Sequence, residues 1–296
     1  MEWRGYRFCY HCSFILLLLL VVVVYVLGDV VPASLASGSA GDDACALMQF
    51  RSLVTEDPYG ALASWGGRDG NLSASPAPPC GWRGVTCGVR GRRRGRVTAL
   101  DLRRLGLAGV IATPSSLSGL TYLRRLELAE NRLRGGVPSL LPPSLEHLNL
   151  SYNALQGAGA AGARLESNNL TGGIPASLGN LTSLTILALT SNNLGGLIPG
   201  ELGNLCALTS LYLNMNMLEG SIPSSVFNLS SLRHLIVQFN NLTGTLHTSA
   251  SDRLPRLKLL SVDSNQLRGA IPVFLCNSSQ ARSGPDDEEF LLRGHP

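Results

Sequence analysis

One template, LxxLxxLxLxxNxLxGxIP, recurs along most of the sequence and constrains the fold more than any other feature. From Asn168 onward, its asparagines are separated by 24, 24, 24 and 25 residues. A unit of this length cannot bury its apolar face alone, so the copies must stack in order and share one core. Leu105 takes the asparagine position in a less regular first copy, and the template asparagines are Asn131, Asn153, Asn168, Asn192, Asn216, Asn240 and Asn265.

A period of roughly 20 to 29 residues with this leucine spacing identifies the leucine-rich repeat. The LxL segments, such as Leu187 and Leu189, alternate inward and outward side chains, so each copy is expected to form one short strand. The sequence therefore predicts a β-rich α/β solenoid of about eight copies over residues 97–275. We expect a curved right-handed superhelix with a parallel sheet on its concave face and a helical cap at its N-terminal end. The recurring asparagines and prolines are interpreted as scaffold, because they fix the turns between strands.

One copy of the template is too short. Asn153 and Asn168 are 15 residues apart, and the intervening QGAGAAGARLES is rich in Gly and Ala. Such a segment lacks the apolar ridge that a coil packs inward, so we predict an incomplete coil or a flexible joint near residues 154–167. Its glycines resemble a nucleotide-binding motif, but neither a predicted strand nor a predicted helix flanks them, and they are interpreted as a spacer.

The first 36 residues have the features of a secretory signal peptide. Arg4 and Arg7 precede an apolar run from Phe14 to Leu27, and small residues follow at Ser34 and Ala36. The run is shorter than the roughly 20 residues that span a bilayer, so a cleaved signal is favoured over an uncleaved anchor. The protein is then expected to be secreted or to lie at the cell surface. Residues 276–296 do not repeat and are rich in charge, which predicts a disordered tail.

Seven cysteines are present, and two of them lie within the predicted signal peptide. An oxidising compartment favours disulfides, and Cys80 and Cys87 are close enough in CGWRGVTC to close a small loop. We therefore predict a disulfide between them. Cys206 and Cys276 fall within repeats and are expected to be buried free thiols, whereas Cys45 stays unassigned. No matching zinc ligands lie near these cysteines in the sequence.

A basic loop over residues 89–96 separates the cysteine pair from the first repeat. It contains Arg90, Arg92, Arg93, Arg94 and Arg96, with Arg103 and Arg104 just beyond it. Such a run could contact nucleic acid or another acidic surface. Because no aromatic residues are interleaved with it and the chain is expected to be exported, a solvated loop between two modules is the favoured interpretation.

These residues resemble a known family, the plant extracellular leucine-rich-repeat proteins, which include receptor-kinase ectodomains and inhibitors of polygalacturonase. The stretches LTGGIP, LGGLIP, LEGSIP and LRGAIP are similar to the plant-type repeat, and DACALMQFRS with LASW is similar to its cap helix. The resemblance implies a cap over residues 42–88, closed by the Cys80–Cys87 disulfide, with Trp65 and Trp82 in its core. A receptor kinase of this family would continue into more repeats, a membrane helix and a kinase domain. We therefore expect either a truncated relative of a receptor or a short secreted product.

Seven Asn-x-Ser/Thr motifs are candidate glycosylation sites. Asn149 lies inside a predicted strand and should face the concave sheet, where a glycan would obstruct the surface. Several such motifs are expected by chance in so Asn-rich a repeat. The candidates are Asn71, Asn149, Asn169, Asn180, Asn228, Asn241 and Asn277.

The variable positions on each predicted strand are expected to be exposed and are not required to maintain the fold, which makes them candidate contact residues. In the early copies they are charged and are interpreted as solvated, at Arg124, Arg125, Glu127, Glu130, Glu146 and His147. In the later copies they are aromatic, amphipathic or polar, which is typical of an interface. These ligand-contact candidates are Tyr212, Asn214, Met215, Arg233, His234, Gln238, Phe239 and Lys258.

The sequence shows no catalytic constellation, cofactor motif or metal site. His147 and His234 would lie about four coils apart, roughly 15 to 20 Å by strand stacking, which is too far to cooperate. We therefore expect a receptor-like binding module rather than an enzyme, with a peptide or protein ligand and a co-receptor as candidate partners, and with neither nucleic acid nor metal. A membrane would be contacted only through an uncleaved signal anchor or a missing C-terminal part. The alternatives are a secreted inhibitor of a cell-wall-degrading enzyme such as polygalacturonase, and a non-functional receptor fragment.

Overall fold

The computed structural model describes residues 40–65, 78–111, 115–155, 173–246 and 254–269. All of them belong to one compact unit that spans residues 38–296. The predictions for the signal peptide, for Cys276, for the sequons at Asn71, Asn169 and Asn277, and for the C-terminal tail lie outside the described residues.

The chain winds as a parallel-sheet solenoid of the leucine-rich-repeat type with a helix at its N-terminal end, as predicted. Short 3-10 helices lie at Pro79–Gly81, Gly91–Arg93, Ala176–Asn180 and Gly200–Asn204. The helices and strands, in chain order, are α1 (Ala40–Leu53), β1 (Val54–Glu56), β2 (Val85–Cys87), β3 (Val97–Asp101), β4 (Ala108–Val110), α2 (Ser115–Ser118), β5 (Arg125–Glu127), β6 (Arg132–Gly135), β7 (His147–Asn149), β8 (Ala154–Leu155), β9 (Ile186–Ala188), β10 (Gly195–Leu197), β11 (Ser210–Tyr212), β12 (Met217–Gly220), α3 (Ser224–Phe227), β13 (His234–Ile236), β14 (Asn241–Leu242) and β15 (Leu259–Ser261).

The concave face is an eight-stranded sheet in the order β2-β3-β5-β7-β9-β11-β13-β15. The strands from β3 to β15 are parallel and in register, so that Leu211 lies beside Leu187 on one side and Leu235 on the other. These inward leucines are fully buried and form the continuous core. The alternation in the LxL segments therefore predicted this sheet correctly.

A second set of strands was not predicted. Extended segments also follow Leu105 and the template asparagines Asn131, Asn153, Asn192, Asn216 and Asn240. Together with β1 of the cap, these segments form two further sheets, β1-β4-β6-β8 and β10-β12-β14. The prediction of one strand per copy is therefore wrong. Of these strands, β6, β8, β12 and β14 each bury a single leucine, such as Leu133 or Leu218, and one inward residue shows no alternation from which a strand could be predicted.

The concave sheet is continuous across the region where we predicted a defect. β7 pairs directly with β9, with His147 beside Ile186 and Asn149 beside Ala188. The second set of strands, in contrast, is divided between β8 and β10. Residues 156–172 lie outside the described part of the chain. His147 and His234 are consequently three strand steps apart rather than the predicted four.

The template asparagines join neighbouring coils through their side-chain amides. Asn192 Nδ2 donates to the carbonyls of Leu189 in its own coil and Leu150 in the preceding coil, at 3.1 Å each, and its Oδ1 accepts from the Leu155 N–H. Such amides satisfy backbone groups that would otherwise be buried without partners. The same pattern recurs at Asn131, Asn153, Asn216, Asn240 and Asn265.

The cap covers the N-terminal end of the solenoid. Trp65 stacks on Trp82 with ring centroids 5.6 Å apart, and both rings are buried with Phe50 of α1. Cys80 and Cys87 form a disulfide beside them. β2 pairs antiparallel with β3, and β1 pairs antiparallel with β4, so the first coil has no open strand edge at this end.

Two sequence interpretations are corrected by burial. Arg96 is only 6% exposed and pairs with Asp43 of α1, so it does not belong to a solvated loop. Cys206 is exposed rather than buried. It follows the helix Gly200–Asn204 on the outer side of the coil, where Leu205 and Leu208 take the inward positions.

Candidate functional site

The concave sheet presents its side chains in columns, because equivalent template positions are neighbours in successive coils. One column begins at Thr98 in β3 and continues through the residue just before each later strand, and each backbone N–H after Thr98 donates to the carbonyl of the preceding member. These bonds hold the surface in place before any ligand arrives, which lowers the ordering cost of binding. The column consists of Thr98, Arg124, Glu146, Thr185, Thr209, Arg233 and Lys258.

Ion pairs neutralise most charges in the N-terminal half of this face. Arg103 bonds to Asp101 at 2.7 Å, and its hydrogen bond holds the pKa of that carboxyl below the usual value. Arg104 pairs with Glu130 at 2.7 Å, and Arg124 pairs with Glu146 at 2.5 Å. These pairs are largely solvated and contribute little to stability. A charged ligand would have to displace them, so this half offers few free charges.

Glu127 departs from the interpretation that the early charges are solvated. Its carboxylate is buried on β5, where it accepts hydrogen bonds from His147 Nε2 at 2.8 Å and Asn149 Nδ2 at 2.9 Å. Burial alone would raise the pKa of Glu127. The hydrogen bond and charge of His147, with contributions from Asn149 and Arg103, outweigh that effect and lower the pKa. The side chains of His147 and Asn149 cover this outward position, and the template alone does not predict that they do so.

A polar cleft of about 330 Å³ lies in the same half of the concave face. Sequence reasoning assigned no site there. The template places Arg125 and His147 in consecutive copies, but it puts the copy of Asn168 between His147 and Ile186, which the structure pairs directly. Arg125 and His147 face each other across β5 and β7. The lining residues are Thr98, Arg124, Arg125, Glu146, His147, Thr185 and Ile186.

A polar cluster lies in the C-terminal half, on β11 and β13. His234 Nδ1 is 3.0 Å from Ser210 Oγ and 3.4 Å from Tyr212 OH, and the Tyr212 and His234 rings stack at 6.3 Å. Burial, together with the positive charges of Lys258 and Arg233, lowers the pKa of His234. The imidazole is therefore mainly neutral at pH 7. Ser210 was missed, although it stands 24 residues before His234, which is one template period.

The ligand-contact candidates divide into two groups by exposure. Tyr212, Asn214, His234 and Gln238 are half-buried and bonded to neighbours, contrary to the expectation that all eight are freely exposed. Asn214 Oδ1 accepts from Thr190 Oγ1 at 2.8 Å, and Gln238 Oε1 accepts from Ser261 Oγ at 2.5 Å. The exposed group consists of Met215, Arg233, Phe239 and Lys258.

An apolar edge, which we define as Tyr152, Met215 and Phe239, borders the concave sheet. These side chains are 54%, 48% and 52% exposed, and each stands directly before a template asparagine. Their backbones are in the left-handed region, with φ of 54°, 58° and 55°. Bulky side chains are unfavourable in that region. The tight turn imposes this conformation at the equivalent position of each coil that the structure describes, and a smaller residue would suit it better.

Arg233 and Lys258 add positive charge beside the cluster. Both side chains are exposed, and neither forms an ion pair with any residue in the described ranges. This half of the sheet therefore combines apolar, hydrogen-bonding and cationic groups on β11, β13, β15 and their adjoining turns.

Of the sequons, four lie in the described part of the chain. Asn180, Asn228 and Asn241 are exposed. Asn149 is half-buried on the concave face, and its Nδ2 donates to Glu127, so its amide already has a protein partner.

The described ranges contain no group of three or more His, Cys, Asp or Glu residues that could hold a metal ion. None of the helices in these ranges has the length and apolarity required to cross a membrane.

Comparison with known families agrees with this architecture. Residues 40–88 match the leucine rich repeat N-terminal domain, and residues 142–162, 183–205 and 207–229 match leucine-rich-repeat models. The chain is thus a leucine-rich-repeat protein with the N-terminal domain of that class. More narrowly, it resembles the ectodomains of plant leucine-rich-repeat receptor kinases.

The chain spans only a small part of the length of the relatives that it matches. Brassinosteroid LRR receptor kinase BRL3 of Oryza sativa subsp. japonica is 36% identical over 54% of this chain and 14% of its own length. LRR receptor-like serine/threonine-protein kinase EFR of Arabidopsis thaliana is 42% identical over 32% of this chain and 8% of its own length. The ectodomain of GASSHO1/SCHENGEN3 from Arabidopsis thaliana, solved in complex with CASPARIAN STRIP INTEGRITY FACTOR 2, is 37% identical with a TM-score of 0.56. That match covers 79% of this chain and 28% of the ectodomain.

Proposed function

We propose that the chain is a receptor-like binding module of the cell surface or extracellular space, and that it binds a peptide or protein along its concave sheet. The observation that carries this proposal is the convergence of eight contact candidates on three adjacent coils around β11, β13 and β15. The ectodomain of GASSHO1/SCHENGEN3, which has the same fold, was solved with CASPARIAN STRIP INTEGRITY FACTOR 2, and this supports a protein or peptide partner.

The two groups of candidates have different roles in this proposal. The apolar edge residues Met215 and Phe239 bury surface against the ligand, which supplies most of the affinity. Tyr212 and His234 are fixed by their neighbours and supply directed hydrogen bonds. Arg233 and Lys258 attract an acidic group of the ligand and increase the rate of encounter.

Selection from a displayed library of random peptides, with the secreted and disulfide-bonded protein as bait, tests the proposal. The combined substitutions Met215→Ser and Phe239→Ser should weaken binding of the selected peptides by roughly tenfold or more. The matched control combines Leu140→Ser and Leu197→Ser, which remove exposed leucines away from the concave sheet, and should leave affinity unchanged. Equal losses in both variants, or a library that yields no specific peptide, would overturn the proposal.

A further inference from the structure

A second charged surface lies beside the N-terminal cap, away from the ligand-contact candidates. Between Asp69 and Asp101 the sequence contains six arginines and no acidic residue. Arg96 turns inward, but the other arginines of the basic loop are exposed, and none of them forms an ion pair with any residue that the structure describes. We call residues 89–94 the arginine loop, and its exposed cations are Arg90, Arg92, Arg93 and Arg94.

The arginine loop is held in one conformation by its backbone. The Gly88 N–H donates to the Arg96 carbonyl and the Gly95 N–H donates to the Gly88 carbonyl, both at 2.9 Å, while the Arg94 N–H donates to Gly91 at 3.1 Å. A Cβ at Gly88 would lie 2.3 Å from the Arg93 carbonyl oxygen, so only glycine fits there. The Cys80–Cys87 disulfide fixes the strand that leads into the loop. The four exposed arginines are therefore carried within five residues on a backbone that is held in one conformation.

Such an array is complementary to a polymer with closely spaced carboxylates. Guanidinium groups bind carboxylates through two parallel hydrogen bonds, and a line of anions relieves the mutual repulsion of adjacent cations. Val89 is 81% exposed at the start of the loop and offers an apolar contact to the carbon face of a sugar ring. The loop contains no aromatic side chain on which a base could stack, which argues against nucleic acid. Anionic lipids concentrate in the cytoplasmic leaflet, which argues against a membrane surface for an extracellular protein.

We propose that the arginine loop binds an acidic polysaccharide, a linear polymer of uronic acids. The proposal rests on the extracellular location given under Proposed function, and it is independent of peptide binding by the concave sheet.

Affinity of the full secreted chain for polygalacturonate, measured over a range of salt concentrations, tests this assignment. The combined substitutions Arg92→Gln, Arg93→Gln and Arg94→Gln should weaken binding by roughly tenfold at low salt and reduce its salt dependence. The matched control combines Arg134→Gln, Arg256→Gln and Arg268→Gln, which remove the same charge from exposed positions elsewhere and should change affinity by less than about twofold. Fully methyl-esterified polymer, which has no carboxylates, should not bind.

Equal losses in the two variants would show that only net charge matters and would overturn the assignment. Tighter binding to phosphatidylserine vesicles or to single-stranded DNA than to polygalacturonate would overturn it as well. Peptide binding by the arginine-loop variant should be unchanged, so that failure of this inference and failure of the proposed concave-sheet function give different results. An unaltered thermal unfolding midpoint of the variant shows that its fold is intact.

Discussion

Arg96 donates hydrogen bonds from Nε and Nη2 to the two carboxylate oxygens of Asp43, at 2.9 and 2.7 Å. The Asp43 carboxylate also accepts the Val97 N–H at 2.8 Å, and the guanidinium lies 4.7 Å from the centre of the Tyr122 ring. The hydrogen bond to Asp43 raises the pKa of Arg96. This buried pair joins α1 to the first strand of the solenoid, so we expect the docking of the cap to depend on it.

Replacement of Asp43 by Asn should destabilise the protein by about 3–5 kcal/mol, because it leaves the buried Arg96 charge without its carboxylate. Chemical denaturation followed by circular dichroism measures the change. Asp101→Asn is the control, since it breaks the exposed pair with Arg103 and should cost about 0–1 kcal/mol. Similar losses for both substitutions would contradict the proposed role of the buried pair.

The Asp43–Arg96 pair also shows where sequence reasoning stops. Every copy of the template repeats the same contacts, so Leu187, Leu211 and Leu235 could be placed side by side from their spacing alone. Asp43 lies outside the repeat and pairs with a residue 53 positions away. No periodicity relates the two, and only the docking of the cap brings them together.

For the candidate site, the template predicted where each side chain lies on the sheet, but it did not predict how deeply that side chain is buried. It placed His234 on the concave face, and its period also places Ser210 on the neighbouring strand. It could not predict that Glu127 is buried, because this depends on how His147 and Asn149 extend over it. The same limit applies to Cys206, whose exposure depends on which side of the helical turn it occupies.

Asn192 offers a test of how much the template asparagines stabilise the junction between coils, at the boundary beside residues 156–172. Its amide links Leu150 and Leu155 of the preceding coil to its own coil. Asn192→Ala should cost about 2–4 kcal/mol, since it leaves several buried backbone groups without partners. Urea denaturation monitored by intrinsic fluorescence provides the measurement.

Asn193→Ala is the matched control for that experiment, because Asn193 is adjacent in sequence but exposed. It should change the free energy of unfolding by less than about 0.5 kcal/mol. If the two substitutions had the same effect, the Asn192 amide would not stabilise this boundary.

The surroundings of His234 predict that the stability of the protein depends on pH. Its pKa in the folded state is lowered, first by burial and then by Lys258 and Arg233, so the unfolded chain binds this proton more readily. The stability that comes from neutral His234 is therefore fully present above the unfolded pKa of about 6.5. It is lost as the pH falls below that value and through the lower pKa of the folded state. Lys258→Gln should raise the pKa of His234 in an NMR titration, and Arg256→Gln should leave it unchanged. A His234 pKa that does not respond to Lys258→Gln would contradict this account of the charges around the cluster.

Phe239 provides a test that separates folding from binding. Its φ of 55° lies in the left-handed region, where a bulky side chain costs about 1–2 kcal/mol and Asn is tolerated. Phe239→Asn should therefore stabilise the protein by about 0.5–1 kcal/mol in thermal unfolding, after the loss of some packing is allowed for. Leu197→Asn, at an exposed position without positive φ, should give no such gain.

The same Phe239→Asn protein also tests the apolar edge as a binding surface. If this edge binds ligand, the variant should bind selected peptides more weakly although it is more stable, because the strained phenylalanine then serves binding rather than folding. A variant that gained stability and kept full affinity would remove Phe239 from the binding surface.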